Sequence, residues 1–408
     1  MKILLINQPL RNRGDESAHK ALLRELLNRI PTIQIRVLFI GCDSSYSIMQ
    51  FDVNDSRVEY INIHPNFRFS KLCIEAVKDP KKQLMWLVHP TVLKTLSYYK
   101  WADMVLCAPG GICMGGFQDW KHLFFLKLAK FSKKPLAYFA RSIGPFTVEN
   151  PMAKRFRKVS NEMLHYFSFI SLRDKKSEKI AEEFGVQYVS TIDSAFLDAP
   201  KVDLPYEIKS TLKNKQYMVF VPNYLLWHYK YKGRFTLDDL LDFYCKVIKL
   251  VWKRFPEMSI VMLPQTFDQG GLFDDVNLFR MIAERLDDSR IIVIPDCYSS
   301  DVQQTIISKA NFVIGARYHS IVFAINQNIP FIALSYEHKI SGLLETLDCM
   351  KYHVDFQEVM FANESKEQCL KEIENLIINI SKNAMASEKA KYIARNGMSL
   401  FINQITKQ

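Results

Sequence analysis

The chain has 408 residues, 54 of them basic and 43 acidic, for a formal net charge of +11 at pH 7, with 48% hydrophobic and 24% charged residues. That composition excludes a disordered, collagen-like or low-complexity chain, and about 150 residues per domain predicts two or three domains. The basic excess points toward anions (phosphates, acidic lipids, acidic glycans or nucleic acid) without choosing among them.

In chain order, residues 2–7 read as a strand, and 16–30 follow with Leu22, Leu23, Leu26, Leu27 and Ile30 at helical spacing. Strand-like runs recur at 34–40, 57–62, 103–107, 135–140 and 168–172, with helical patterns at 83–100, 119–132 and 152–166. Segment 198–206, with two prolines and no periodicity, reads as a linker. The rhythm then restarts, with strands at 217–222, 258–263, 291–294, 311–315 and 330–335 and helices at 236–254, 274–286, 301–309, 318–327 and 339–347. Residues 365–407 are polar and helical in pattern. This alternation predicts an α/β chain of two Rossmann-like, doubly wound domains facing a cleft, 1–200 and 205–365, with C-terminal helices at 366–408 packing back on the first domain. Ligands of such sheets bind at the carboxyl ends of the strands.

No run approaches the roughly 18 apolar residues of a membrane span. The opening Met1–Pro9 lacks the charged start, long apolar middle and cleavage site of a signal peptide. Cys42, Cys73, Cys107, Cys113, Cys245, Cys297, Cys349 and Cys369 form no Cys-x-x-Cys pair, so they read as reduced thiols in a cytoplasm.

Chemistry is expected in the loops after strands. Gly14-Asp15 lies between the first strand and its helix, where Asp15 either caps the helix or serves catalysis and acceptor binding. Residues 108–119 hold four of the chain's 14 glycines in a seven-residue stretch, with Gly110 and Gly111 free to let a ligand approach the backbone and Asp119 at the end. This is neither a Walker loop nor Gly-x-Gly-x-x-Gly. Arg141 opens the next loop. Arg173 stands at a strand end, either aimed at a ligand or paired with Asp174 or Asp193. The most specific pattern is Arg317-x-His319 at a strand-to-helix junction, where a helix N-terminus also favours an anion. The next strand ends near His338-Lys339, so Arg317, His319, His338 and Lys339 form a candidate cationic pocket.

The ordered set Gly14-Asp15, Pro109-Gly110-Gly111, Ser142-Ile143-Gly144-Pro145, Arg173-Asp174-x-x-Ser177, Asp193-Ser194-Ala195-Phe196 and Arg317-x-His319 with Tyr336-x-x-Lys339 resembles the polysaccharide pyruvyl transferases. The resemblance runs from about residue 7 to 347 and implies a GT-B-like fold. It implies transfer of the enolpyruvyl carbon of phosphoenolpyruvate, as co-substrate, onto two hydroxyls of a sugar in a capsule, exopolysaccharide or cell-wall precursor; no further cofactor is expected, and no metal, since the chemistry demands none and the sequence offers no carboxylate or histidine cluster to hold one. A galactose-type residue ketalised across its 4,6 pair is the expected acceptor, free, nucleotide-linked or lipid-linked. Phosphoenolpyruvate is expected at Arg173, Arg317, His319, His338 and Lys339, the acceptor at Asp15, Gly110, Gly111, Asp119 and Arg141, and acid–base work at Asp15, His319 and Lys339. Two departures bear on the acceptor side: Ile112 follows Gly111 where the family has more glycine, and Ala140-Arg141 stands where Gly-Gln is usual.

The rival enzyme reading is a GT-B glycosyltransferase with a nucleotide-sugar donor, from Glu337 and Glu345 at Glu-x7-Glu spacing. A nucleic-acid partner is not expected, since zinc-finger and RNP-type signatures are missing. Residues 120–134, with Trp120, Phe124, Phe125, Leu128, Phe131 and five lysines, are either a core helix or a peripheral contact with the anionic inner face of the plasma membrane.

Overall fold

The computed structural model describes all residues except 42–48, 65–66, 112, 228–230, 232, 268–273, 337, 356–362, 381–383 and 408. The first sheet holds β1 (Lys2–Ile6), β2 (Gln34–Ile40), β3 (Val58–Ile63), β4 (Met104–Cys107), β5 (Leu136–Arg141), β6 (Phe169–Leu172) and β7 (Val189–Ser190), in the order β3-β2-β1-β4-β5-β6-β7. The second holds β8 (Tyr217–Val221), β9 (Ser259–Met262), β10 (Ile291–Val293), β11 (Val313–Gly315), β12 (Phe331–Ser335) and β13 (His353–Asp355), in the order β10-β9-β8-β11-β12-β13. Every neighbouring pair is parallel. Ile3, Leu4, Leu5 and Ile6 are all buried, as expected for strands covered on both faces by crossover helices. Strand order reverses between β1 and β4 and again between β8 and β11, the two switch points where such sheets bind ligands.

The chain forms two compact units. One comprises Met1–Leu10, Ala18–Leu197 and Ile393–Gln408; the other comprises Arg11–Ser17 and Asp198–Tyr392. This division differs from the sequence reading at both chain ends. The segment around Asp15 belongs to the second unit. The polar C-terminal stretch is two helices, Asn363–Ile378 within the second unit and Ala384–Thr406, whose residues from Ile393 onward belong to the first. There the Phe401 ring lies 5.1 Å from those of Phe139 and Phe169. Gly397 lies so close to Thr191 that a Cβ would meet its hydroxyl oxygen at 2.3 Å.

One helical expectation is corrected, and one open alternative is decided. The pattern at 83–100 divides into a 3-10 helix, Pro80–Val88, and an α-helix, Pro90–Trp101, because Pro90 has no N–H to continue the first and suits the opening turn of the second. The helix Trp120–Phe131 is a core helix. Leu123, Phe124, Phe125, Leu126 and Leu128 are buried, and Lys127 and Lys130 both bond Glu162 at 2.8 Å, so it has no apolar face to offer a bilayer. Among the described residues no helix is long and apolar enough to cross a membrane.

Candidate functional site

β11 ends at Gly315, where a Cβ would lie 2.1 Å from the Ser320 hydroxyl; only glycine lets the helix Tyr318–Asn326 start this close to its strand. Arg317 is the N-cap residue of that helix, in extended conformation and nearly buried. Its Nη2 donates to Thr266 Oγ1 at 2.9 Å and to Asp275 Oδ1. Asp275 is fully buried, and its other oxygen accepts from the backbone N–H groups of Gln265 at 2.8 Å and Thr266 at 2.9 Å. The carboxylate thus fixes the guanidinium and the loop after β9 together.

Arg317 Nε is buried and has no hydrogen-bond partner among the described residues. The same holds for Gln265 Nε2 and for both side-chain polar atoms of Asn223. Asn223 follows β8, its backbone clamped by the Tyr244 hydroxyl, which donates to the Asn223 carbonyl at 2.8 Å and accepts from its N–H at 3.1 Å. Because β9, β8 and β11 are neighbours, these three side chains stand at the carboxyl ends of adjacent strands, on the switch point of the second sheet. Buried polar groups are nearly always bonded, so unsatisfied groups at three neighbouring strand ends make this switch point the candidate site for a polar ligand.

Arg11–Ser17 lies against the same loop. Asn12 bridges Thr266 in antiparallel fashion, and the Arg13 N–H donates to the Gln265 carbonyl at 2.8 Å. Asn12 Oδ1 accepts from the N–H groups of Gly14 and Asp15, so Asn12 caps the helix Arg13–Arg29, and the half-buried Asp15 stands in its first turn. Buried Glu16 accepts from Arg13 at 2.7 Å and from the Ser300 N–H and hydroxyl at 2.8 and 2.9 Å, anchoring the segment. The His319 imidazole sits directly on Gly14, where a Cβ would fall 1.8 Å from His319 Nδ1. Asp15 therefore adjoins the residue on which His319 rests. Lys339, half-buried, lies in the first turn of the helix His338–Thr346 after β12, the neighbour of β11. The His338 side chain, Glu337 and Ile112 fall outside the described residues. Glu345 is exposed on its helix. Among the described residues no three His, Cys, Asp or Glu side chains form a metal-holding group.

The remaining candidates belong to the first unit. Asp119 caps the helix Trp120–Phe131, accepting from the N–H groups of Lys121 at 2.9 Å and His122 at 3.1 Å. Arg173 bonds Asp193 and Ser142, the latter at 3.0 Å, so its guanidinium is committed to the buried ion pair that was the alternative to ligand binding. Asp174 caps the next helix. A Cβ on Gly110 would meet Pro9 at 2.7 Å, whereas Gly111 faces open space. Beneath Gly110 lies Arg141, fully buried, whose Nη1 donates to the carbonyls of Ala108 and, at 3.3 Å, Asn7. Its Nε and Nη2 have no partner among the described residues. Burial pushes the adjacent Cys107 thiol up to about 11, with the Arg141 charge opposing, and burial plus that charge hold His122 neutral. A cavity of about 210 Å³ lined by Asn7, Gln8, Cys113, Asp119, Lys121 and His122 opens at the first switch point.

Asp275, Asn223 and Gln265 escaped the sequence reading. Asn223 and Gln265 did leave a signal, since each follows a proline just past a strand, in Val221-Pro222-Asn223 and Leu263-Pro264-Gln265.

A family model for polysaccharide pyruvyl transferase matches residues 12–338. The chain is 23% identical over 398 residues to the amylovoran biosynthesis protein AmsJ of Erwinia amylovora, covering 88% of this chain and 89% of that protein. Among solved structures it resembles the UDP-GlcNAc 2-epimerase of Neisseria meningitidis bound to UDP-GlcNAc, with TM-score 0.58 and 13% identity over the whole of both chains. It also resembles a ugt transferase of Siraitia grosvenorii in complex with UDP, with TM-score 0.57 and 11% identity over 99% of each chain. These two likenesses show a GT-B-like fold.

Proposed function

Because the chain belongs to the polysaccharide pyruvyl transferase family and is a transferase, we propose that it moves the enolpyruvyl unit of phosphoenolpyruvate onto two hydroxyls of one sugar, releasing phosphate. The observation that carries the donor side is the set of buried, unsatisfied groups on Arg317, Asn223 and Gln265 at the second switch point. A planar guanidinium beside amide donors suits a small ligand carrying a carboxylate and a phosphate. Lys339 and His319 add donors from the neighbouring helix starts.

In this reading a proton goes to the methylene carbon, C2 gains cationic character, and a sugar hydroxyl adds there. The C2–O bond to phosphate breaks, with His319 or Lys339 supplying a proton to the leaving group. The second hydroxyl then closes the ketal. Asp15, beside Gly14, accepts a hydroxyl proton. The acceptor lies with Gly110, Gly111 and Arg141 of the first unit. Similarity to a protein named for amylovoran biosynthesis supports a place in making a bacterial polysaccharide.

The test is incubation with phosphoenolpyruvate and a panel of galactosides, glucosides and mannosides, following phosphate release and an acceptor mass gain of pyruvate less water. Arg317→Ala and His319→Ala are expected to abolish turnover; either variant keeping full phosphoenolpyruvate turnover defeats the assignment. Thermal stabilisation by UDP-sugars and not by phosphoenolpyruvate would favour a glycosyltransferase instead.

A further inference from the structure

The 3-10 helix Pro80–Val88 turns every three residues, so its side chains fall into three columns. One column holds Gln83, Trp86 and His89. Trp86 is fully buried, its ring 5.4 Å from Phe124 and 5.5 Å from Phe131, and this fixes the helix to the core of the first unit. The other two columns must then face outward. They read Lys81-Leu84-Leu87 and Lys82-Met85-Val88, each a lysine followed by two apolar residues. Leu84 is 72% exposed and Val88 77%, with Met85, Leu87 and nearby Leu93 also exposed. Among the described residues these are five of the sixteen large hydrophobic side chains left exposed, gathered within ten positions. Single exposed apolar residues need no explanation, but a contiguous group does.

The rim of this ridge is basic. From Lys71 to Lys94 there are five lysines and two carboxylates. Both carboxylates are engaged: Glu75 lies 3.6 Å from Lys78 and 3.8 Å from Lys82, and Asp79 caps the 3-10 helix. We propose that this ridge is a membrane-docking surface that seats the protein on an anionic lipid bilayer. Leu84, Met85, Leu87, Val88 and Leu93 enter the boundary between headgroups and acyl chains, while Lys81, Lys82 and Lys94 reach the lipid phosphates. Apolar side chains beside lysines whose long stems can lie along the interface are the pattern of a monotopic surface. A second copy of the chain fits less well, because a two-fold contact through this ridge brings two like-charged basic rims together, whereas anionic lipid neutralises them.

The test uses the full chain in vesicle flotation, comparing vesicles of phosphatidylglycerol mixed with phosphatidylcholine against phosphatidylcholine alone. The protein is expected to float with the anionic vesicles and to detach progressively as salt is added. Leu84→Glu with Val88→Glu is expected to reduce partitioning by at least about tenfold. Lys81→Glu with Lys82→Glu removes the preference for anionic vesicles. All four positions are exposed, so folding is expected to survive, checked by thermal melting. The same change at exposed Met385 leaves binding intact. Failure to float with anionic vesicles, or full binding by the Leu84→Glu, Val88→Glu variant, overturns the proposal. A concentration-dependent dimer abolished by that variant, without flotation, also overturns it and assigns the ridge to a second copy.

Discussion

A methyl group added at Gly14 would overlap three ring atoms of His319, at 1.8 to 2.4 Å. The imidazole cannot stay where it is in a Gly14→Ala variant. Displacements of about 1 Å in a catalytic group can cost about 10²-fold in rate. Gly14→Ala is therefore expected to lower kcat/KM for phosphate release by about that factor, with a modest change in melting temperature; unchanged kinetics would show that His319 has no part in the reaction. Asp275 presents the opposite case, a residue whose loss falls on folding first. Asp275→Asn removes the only charge that the described structure sets against the Arg317 guanidinium, leaving a buried cation uncompensated. Breaking such pairs typically costs about 3–5 kcal/mol, which a lowered urea midpoint would register. At this scale the sequence singled out Arg317 and His319 as candidates because a strand-to-helix junction in a basic chain narrows what such a pair can do, and the structure places both at the start of the helix after β11. Asp275 was not visible: its role depends on the loop after β9 folding back to the start of the helix Asp275–Leu286, a meeting that no local spacing encodes. For Arg173, sequence left a ligand role and an ion pair open, and the bond to Asp193 identifies the ion pair.

β5 shows how an element aims a side chain. Its register against β6 shifts between Tyr138 and Arg141, Ala140 takes a left-handed conformation with φ of 47°, and the Ala140 N–H donates to Ser171 Oγ at 2.8 Å. Such irregularities re-aim side chains beside functional sites, and here Arg141 is carried under the Gly110 turn. A buried guanidinium with no carboxylate among its described hydrogen-bond partners is expensive to keep. Arg141→Met should relieve that desolvation while forfeiting bonds to two carbonyls, so the opposing effects leave stability within about 1 kcal/mol of the parent. Acceptor KM is expected to rise at least about tenfold while phosphoenolpyruvate affinity, by calorimetry, holds. A large stability loss with an unchanged acceptor KM would make Arg141 structural. The strand itself was legible as an apolar run; its bulge was not, since alanine carries no signal for a left-handed backbone. Short edge strands β7 and β13 were missed for a related reason, having too few residues to show alternation.

For the whole molecule, two α/β halves were legible because two runs of strand and helix periodicity are separated by an aperiodic proline-bearing segment. The exchange of Arg11–Ser17 and Ile393–Gln408 between the units was not, since it rests on packing such as Phe401 against Phe139 and Glu16 against Ser300. The basic balance of the chain has a further consequence for its response to acid. His19 and His122, both in the first unit, are fully buried. Burial, aided by the Lys20 charge, lowers His19 to about 3, and burial with the Arg141 charge lowers His122 well below its usual value. Both folded pKa values lie below the unfolded value of about 6.5. Below pH 6.5 the unfolded chain therefore binds protons that the folded first unit excludes. The stability these neutral rings confer is complete above 6.5 and is lost as pH falls, for His19 down toward 3, by up to about 1.4 kcal/mol per pH unit per histidine. Acidification also raises a net charge already at +11, and self-repulsion acts in the same direction. The urea midpoint is thus expected to fall between pH 7.5 and 5.5, above the range where most carboxylates titrate. His19→Gln and His122→Asn should each flatten that slope by about half a proton averaged over this window, whatever their effect at pH 7.5. An identical slope in both variants would place the acid sensitivity elsewhere in the chain.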